Sequence, residues 1–73
     1  MPKLPILSAK ELVKIFGKAG YYIVRQKGSH IRMCHKTKDS ITIPNHKTIG
    51  RGLLKKILRD SQISSGDLTQ LMK

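Results

Sequence analysis

The 73-residue sequence has few of the residues that most often stabilise small domains. It has no tryptophan, one phenylalanine and two tyrosines, so its core must be built mainly from aliphatic side chains. Its single cysteine, Cys34, excludes an internal disulfide and is typical of a reducing compartment. A chain of this length buries only about 60% of the surface that its unfolded form exposes. We therefore expect one small domain over residues 1–73.

Long apolar runs are also missing. No segment is apolar enough for a signal peptide or for the roughly 20 residues of a transmembrane helix. Residues that bind metals are scarce as well, because one cysteine and three histidines are scattered along the chain without the paired spacings of a zinc site. We therefore expect a cytoplasmic protein with no membrane partner, no metal and no cofactor.

The scarcity of acidic residues has the largest consequence for function. Four Asp and Glu residues stand against fifteen Lys and Arg residues, which gives a formal net charge of +11. Such a positive field favours binding to a polyanion such as a nucleic acid, to an acidic protein, or to both. The alternative is a basic surface that only aids solubility, but +11 exceeds the magnitude of about 2–8 that serves solubility in a small domain.

Hydrophobic spacing and turn signals predict the order α-β-β-β-α-α. Pro2 and Pro5 make residues 1–7 extended, and Ser8 with Glu11 forms a capping box at the first helix. The predicted elements are a helix between Ser8 and Gly20, strands over 21–27, 30–36 and 41–43, a helix over about 49–60, and a short helix capped by Ser64 or Ser65. Helices on one face of a three-stranded antiparallel sheet give an α+β two-layer sandwich.

The Gly28-Ser29 connection predicts a hairpin with a primed turn and thereby fixes the register of its strands. The resulting pairs share one face of the sheet; they are Lys27 with His30, Arg25 with Arg32, and Ile23 with Cys34. The face that meets the helices would carry Tyr22, Val24, Gln26, Ile31, Met33 and His35. Like charges opposed across a hairpin are normally destabilising, so Arg25 against Arg32 indicates an anion over the open face, with Thr42 nearby.

The open face would place three cations around one imidazole, that of His30. RNA carries its own nucleophile, the 2′-hydroxyl, and its cleavage needs no metal if a base accepts that proton and cations stabilise the charge on the phosphate. Histidine is well suited to proton transfer near neutral pH. The residues alone leave two interpretations open: a catalytic base, or a surface histidine in a hairpin that binds nucleic acid.

A second histidine, His46, lies in the loop P-N-H-K between the third strand and the second helix. A helix N-terminus favours anions, so His46 and its neighbour Lys47 are candidates for contact with a substrate phosphate. A structural role for the loop is the alternative. We expect Cys34 and His35 to be structural residues at the edge of the core.

In order and spacing, these motifs resemble the HicA family, also called YcfA-like proteins, the small toxins of type II toxin–antitoxin pairs. The motifs that carry the resemblance are G-S-H at 28–30, P-N-H at 44–46 and I-G-R-G-L-L-K-K-I-L-R-D-S-Q-I-S at 49–64. The resemblance covers roughly residues 8–72. It implies a fold like that of double-stranded RNA-binding domains, and an endoribonuclease that cleaves messenger RNA and blocks translation and growth. It also implies neutralisation by an acidic HicB-type antitoxin.

The resemblance implies that His30 is the catalytic residue. Charge, position and motif together predict contacts between RNA and a wider set, namely Arg25, Lys27, Gly28, Ser29, Arg32, His46 and Lys47. The alternative from another functional class is a non-catalytic double-stranded RNA-binding module that uses the same basic surface. A DNA-binding protein is disfavoured, because the sequence shows no helix-turn-helix with a basic recognition helix.

Overall fold

The computed structural model describes residues 5–72. Its elements are α1 (Ala9–Lys18), β1 (Tyr22–Lys27), β2 (His30–Cys34), β3 (Ile41–Pro44), α2 (Arg51–Ser61) and α3 (Ser65–Leu71). The predicted order is confirmed, and the antiparallel sheet has the strand order β1-β2-β3. None of these helices is both long enough and apolar enough to cross a membrane. The extended segment predicted for residues 1–7 lies outside the described residues at positions 1–4, while Leu7 forms a β-bridge with Ile49.

Both the first and the last helix begin at a capping box. The hydroxyl of Ser8 accepts a hydrogen bond from the Glu11 N–H at 3.1 Å, and the Glu11 carboxylate accepts one from the Ser8 N–H at 3.0 Å. These bonds satisfy two of the amides that a helix start leaves unpaired. Ser64 and Asp67 make the same reciprocal arrangement at α3, which identifies Ser64 as the cap.

The helices cover one face of the sheet, over β2 and β3. The inward residues of these two strands are at most 5% exposed; they are Ile31, Met33, Ile41 and Ile43. They share one apolar cluster with buried side chains of all three helices, among them Leu12, Phe16, Leu54, Ile57 and Leu68. The opposite face of the sheet stays open, so the predicted α+β arrangement is confirmed.

The helices do not cover strand β1. The prediction that Tyr22, Val24 and Gln26 face the core is therefore wrong. All six residues of β1 are exposed. The physical reason is that α1 and α2 pack on β3, the strand farthest from β1 in the sheet. The aromatic side chain that enters the core is instead Tyr21, which is 3% exposed and packs edge-on against Phe16 at a centroid distance of 5.5 Å.

A bulge in β1 changes the predicted register far from the turn. The two pairs nearest the turn are as predicted: Lys27 with His30, and Arg25 with Arg32. Farther along, Ile23 pairs with Met33 instead of Cys34, because the register shifts between Ile23 and Arg25. The extra residue is Val24. The alternation of apolar and polar residues along a strand does not indicate where one extra residue is inserted, so the sequence could not predict this shift.

Candidate active site

The β1–β2 turn positions the candidate catalytic residue. Gly28 has a φ of +57°, which glycine adopts freely and other residues adopt rarely. Ser29 does not share the positive φ, and a positive φ at the first central position alone is the pattern of a type II′ turn. The predicted primed turn is confirmed. It brings Lys27 directly opposite His30 at the ends of the two strands.

The open face of the sheet carries a shallow cavity of about 400 Å³. The residues that line it are Arg25, Lys27, His30, Arg32 and Thr42. The three cationic side chains and the imidazole are exposed, so they are accessible to a ligand as large as a nucleic acid. The sheet therefore brings together four of the residues predicted for the site, together with Thr42, on one surface.

Arg32 is held at the centre of this cavity by the neighbouring strand. Its Nη1 donates a hydrogen bond to the hydroxyl of Thr42 at 2.9 Å. Arg32 pairs with Arg25 on one side and with Thr42 on the other, so these three side chains form a row across the sheet. No acidic residue is among the lining residues that the structure describes, so an anion in the cavity meets only positive charge and hydrogen-bond donors.

The loop after β3 is tied both to the hairpin turn and to α1. The Asn45 N–H donates to the Ser29 carbonyl at 2.6 Å, and the Ala9 N–H donates to the His46 carbonyl at 3.0 Å. These bonds hold the loop next to the turn that precedes His30. The side chains of His46 and Lys47 are exposed and belong to the same end of the molecule, but they do not line the cavity.

The predicted site residues therefore fall into two groups. Those in β1 and β2 line the cavity, whereas Gly28 and Ser29 shape the turn and His46 and Lys47 lie on the adjoining loop. The loop's attachment depends on backbone hydrogen bonds between residues far apart in the chain. Sequence reasoning missed this attachment, because backbone donors and acceptors are the same at every non-proline residue.

His35 is a structural residue, as expected. Its Nδ1 accepts a hydrogen bond from the Thr37 N–H at 3.1 Å, so in the neutral ring the proton lies on Nε2. That Nε2 donates to the Ala19 carbonyl at 3.0 Å. Both ring nitrogens are thus engaged, and the imidazole fastens the end of β2 to the end of α1.

Cys34 is half-buried, with its sulfur 3.4 Å from the hydroxyl of Ser40. Within residues 5–72, no group of three His, Cys, Asp or Glu side chains is placed so that it could hold a metal ion. The side chains that line the cavity on the open face supply an imidazole, a hydroxyl and three cations.

Comparison with protein-family models gives a match over residues 9–63, from the start of α1 to the second residue after α2. The matching model is described as the HicA toxin of bacterial toxin-antitoxin systems. The match covers most of the chain and includes the whole sheet with its Gly28-Ser29-His30 turn. The chain belongs to the HicA toxin family. Comparison with curated proteins and with solved structures gave no match.

The family match confirms the resemblance to the HicA family that the sequence motifs indicated. It makes the chain a member of a family of toxins from toxin–antitoxin pairs, which implies an antitoxin as partner. The likeness of the HicA fold to double-stranded RNA-binding domains stays a prediction. Helix α3 lies beyond the family match.

Proposed function

We propose that this HicA-family chain is an endoribonuclease that cleaves messenger RNA without a metal, with His30 as the proton-transfer group. The observation that carries the proposal is the cavity on the open face, where one imidazole lies among three cations. With messenger RNA as substrate, the toxin acts in the cytoplasm, and cleavage blocks translation and growth.

The proposed reaction is attack by an RNA 2′-hydroxyl on the neighbouring phosphorus. His30 accepts the hydroxyl proton as the oxygen–phosphorus bond forms, the bond to the 5′-oxygen breaks, and that oxygen takes a proton from water or from a second group. The products are a 2′,3′-cyclic phosphate and a 5′-hydroxyl. Arg25 and Arg32 are the natural partners for the extra negative charge on the phosphate oxygens, because a guanidinium donates two parallel hydrogen bonds to such a group.

Lys27 and the loop residues extend the proposed RNA contacts beyond the scissile phosphate. Lys27 lies directly opposite His30, so its ammonium can reach the same phosphate. His46 and Lys47 stand on the exposed loop next to the turn, where they can contact the following nucleotide. Gly28 and Ser29 contribute through the turn, with Gly28 leaving space for close approach of the RNA backbone.

The proposed partner is an acidic antitoxin of the HicB type. An inhibitor of opposite charge would associate faster and more selectively with a toxin whose formal net charge is +11. Carboxylates laid over the cavity would occupy the positions that phosphate occupies during cleavage. Such an antitoxin neutralises the toxin by excluding RNA from His30.

The experiment that tests the activity uses substrates that lack the nucleophile. The wild-type chain should cleave an RNA oligonucleotide in the presence of a metal chelator and leave a 2′,3′-cyclic phosphate. The same oligonucleotide with 2′-O-methyl groups should bind with similar affinity and remain intact. The variant His30→Ala should bind RNA but cleave it about 10²–10⁴-fold more slowly, the usual contribution of a positioned acid–base group.

The competing function is a non-catalytic double-stranded RNA-binding module. It predicts tight binding to duplex RNA, no cleavage by the wild-type chain, and no effect of His30→Ala on any chemical step. If the wild-type and His30→Ala proteins cleave RNA at equal rates, His30 is not the catalytic residue and the proposal fails.

A further inference from the structure

The outer strand of the sheet has an exposed apolar segment that the proposed reaction does not use. Tyr22, Ile23 and Val24 are consecutive in β1, and their side chains are 50%, 47% and 51% exposed. Tyr22 pairs with Cys34 and Ile23 with Met33, so these side chains flank the strand edge on both faces of the sheet. Single exposed apolar residues are common on protein surfaces, whereas several in succession on an edge strand can receive another strand. We call these three residues the β1 apolar segment.

The backbone of β1 is also available for pairing. Among the strands that the structure describes within residues 5–72, β1 is hydrogen-bonded to β2 alone, so its outer edge is open to a further strand. An edge of this kind accepts an additional strand from another protein. Backbone pairing and apolar contact are thus offered by the same six residues.

The position of this edge connects it to the candidate active site. Along β1 the apolar segment is followed by Arg25 and Lys27, which line the cavity. Strands rise by about 3.3 Å per residue, so Val24 and Lys27 are only about 10 Å apart. A strand added alongside β1 would therefore have one part against the apolar segment and another beside the two cations next to His30.

We propose that β1 is the docking edge for an extended, acidic segment of the antitoxin, which pairs with the strand and covers the β1 apolar segment. This inference rests on the proposed pairing with an acidic antitoxin. Apolar side chains of the added segment would contact Tyr22, Ile23 and Val24. Its carboxylates would pair with Arg25 and Lys27 and close the cavity over His30.

Charge decides between this partner and a second copy of the same chain. A second copy would bring together two chains of net charge +11 and set Arg25 and Lys27 of each copy close to those of the other. Cations on an edge strand discourage pairing with a second copy that carries the same cations. The same cations attract an acidic strand, so the edge is selective for a partner of opposite charge.

The test compares a double substitution in the β1 apolar segment with a single substitution at another exposed apolar residue. The probe is the purified product of the adjacent open reading frame, and its binding is measured by calorimetry with toxins that carry His30→Ala, so that growth is not arrested. The double change Ile23→Thr and Val24→Thr keeps β-branched side chains in the strand and should weaken binding at least tenfold. The matched control is Ile6→Thr, at a residue that is 56% exposed and outside the sheet, and it should leave the affinity unchanged.

Hydrogen exchange on the complex supplies a second measurement that needs no variant. Those amides of β1 that point away from β2 should become protected when the probe binds, because only these N–H groups gain new partners. Wild-type affinity in the double variant, protection confined to α1, or absence of binding by the wild-type chain would overturn the proposal.

RNA cleavage by the active protein separates failure of this inference from failure of the proposed function. With His30 present, the Ile23→Thr and Val24→Thr protein should cleave RNA at the wild-type rate but need at least tenfold more probe for inhibition. If that protein binds the probe normally but loses cleavage, the β1 apolar segment belongs to the RNA surface and the docking proposal is wrong. If the wild-type chain binds through β1 but cleaves no RNA, the docking proposal stands and the ribonuclease proposal falls.

Discussion

Lys27 and His30 face each other directly across the β1–β2 hairpin, as the last and first residues of their strands. Opposed residues in an antiparallel pair have Cα atoms about 4.5–5.5 Å apart, and their side chains share a face. A phosphate on this pair therefore contacts a cation and a proton-transfer group at the same time. The two-residue turn between them limits how far the strand ends can separate. The proposed cleavage requires this combination of charge, imidazole and fixed geometry.

The pairing of Arg25 with Arg32 predicts opposite effects on stability and on RNA binding. Arg25→Gln removes a like-charge contact, so it should raise the melting temperature by about 1–5 °C at low salt. The gain should shrink in high salt, which screens exposed charges. The same change should weaken binding to single-stranded RNA about two- to fivefold and lower the salt slope by about 0.7.

Arg59→Gln is the matched control for Arg25→Gln. Arg59 is exposed in the last turn of α2 and does not line the cavity, so its loss should leave the salt slope of RNA binding unchanged. Equal slopes for the two variants would mean that the basic surface acts as a diffuse field and that the cavity is not the principal phosphate site.

Two glycine substitutions should change stability in opposite directions. A Cβ added at Gly28 or at Gly17 meets no atom within 4 Å, so neither Gly→Ala change creates a clash. Gly28 has a positive φ, and Gly28→Ala should cost about 1–2 kcal/mol and slow RNA cleavage by displacing His30. Gly17 lies within α1, and Gly17→Ala should stabilise by about 0.5–1 kcal/mol.

Denaturant unfolding of the wild-type, Gly28→Ala and Gly17→Ala proteins measures both changes in the free energy of unfolding. The comparison isolates backbone conformation, since the added methyl group is the same and space is open at both positions. A stable Gly28→Ala protein with wild-type cleavage would show that the positive φ at the turn is not needed to hold His30.

Local patterns in the sequence predicted the features that depend on neighbouring residues. The Ser8–Glu11 capping box, the primed turn and the pairing of Lys27 with His30 each depend on residues close along the chain, and the structure has all of them. The exposure of β1 was not predicted, because it depends on where α1 and α2 pack across the sheet. Strand periodicity indicates which residues share a face, but not whether a helix covers that face.

The change Gly20→Ala should destabilise the fold more than Gly28→Ala, because a Cβ added at Gly20 clashes with a neighbouring side chain. Gly20 has a φ of +99°, and an added Cβ would lie 2.9 Å from Nε2 of His35. That ring cannot move freely, because hydrogen bonds from Thr37 and to Ala19 hold both of its nitrogens. Gly20→Ala should therefore cost about 2–4 kcal/mol, from backbone strain together with the loss of these bonds.

A double-variant cycle separates the clash from the backbone strain. The change His35→Ala alone should destabilise through its lost hydrogen bonds. When combined with Gly20→Ala, it should cost less than the sum of the two single changes, because the clash has been removed. Strict additivity in denaturant unfolding would show that His35 does not contact residue 20.

The buried phenol of Tyr21 predicts a loss of stability in alkaline solution. Burial raises the pKa of Tyr21 above its ordinary value of about 10, and the charges of Asp39 and Cys34 raise it further. The folded state therefore holds the phenol proton more tightly than the unfolded state does. This contribution to stability is fully present below the unfolded pKa and is lost as the pH rises through the folded pKa.

The variant Tyr21→Phe tests this dependence. The Tyr21 hydroxyl donates to the Asp39 carbonyl at 2.9 Å, so its removal should cost about 1 kcal/mol at neutral pH. Above about pH 10 the wild-type chain should lose stability more steeply than the variant. The free energies of unfolding of the two proteins, plotted against pH, should therefore converge. Tyr22→Phe, which removes a half-exposed phenol one residue away, should keep wild-type stability at neutral pH. Parallel curves for the wild-type and Tyr21→Phe proteins up to pH 11.5 would mean that ionisation of Tyr21 does not limit alkaline stability.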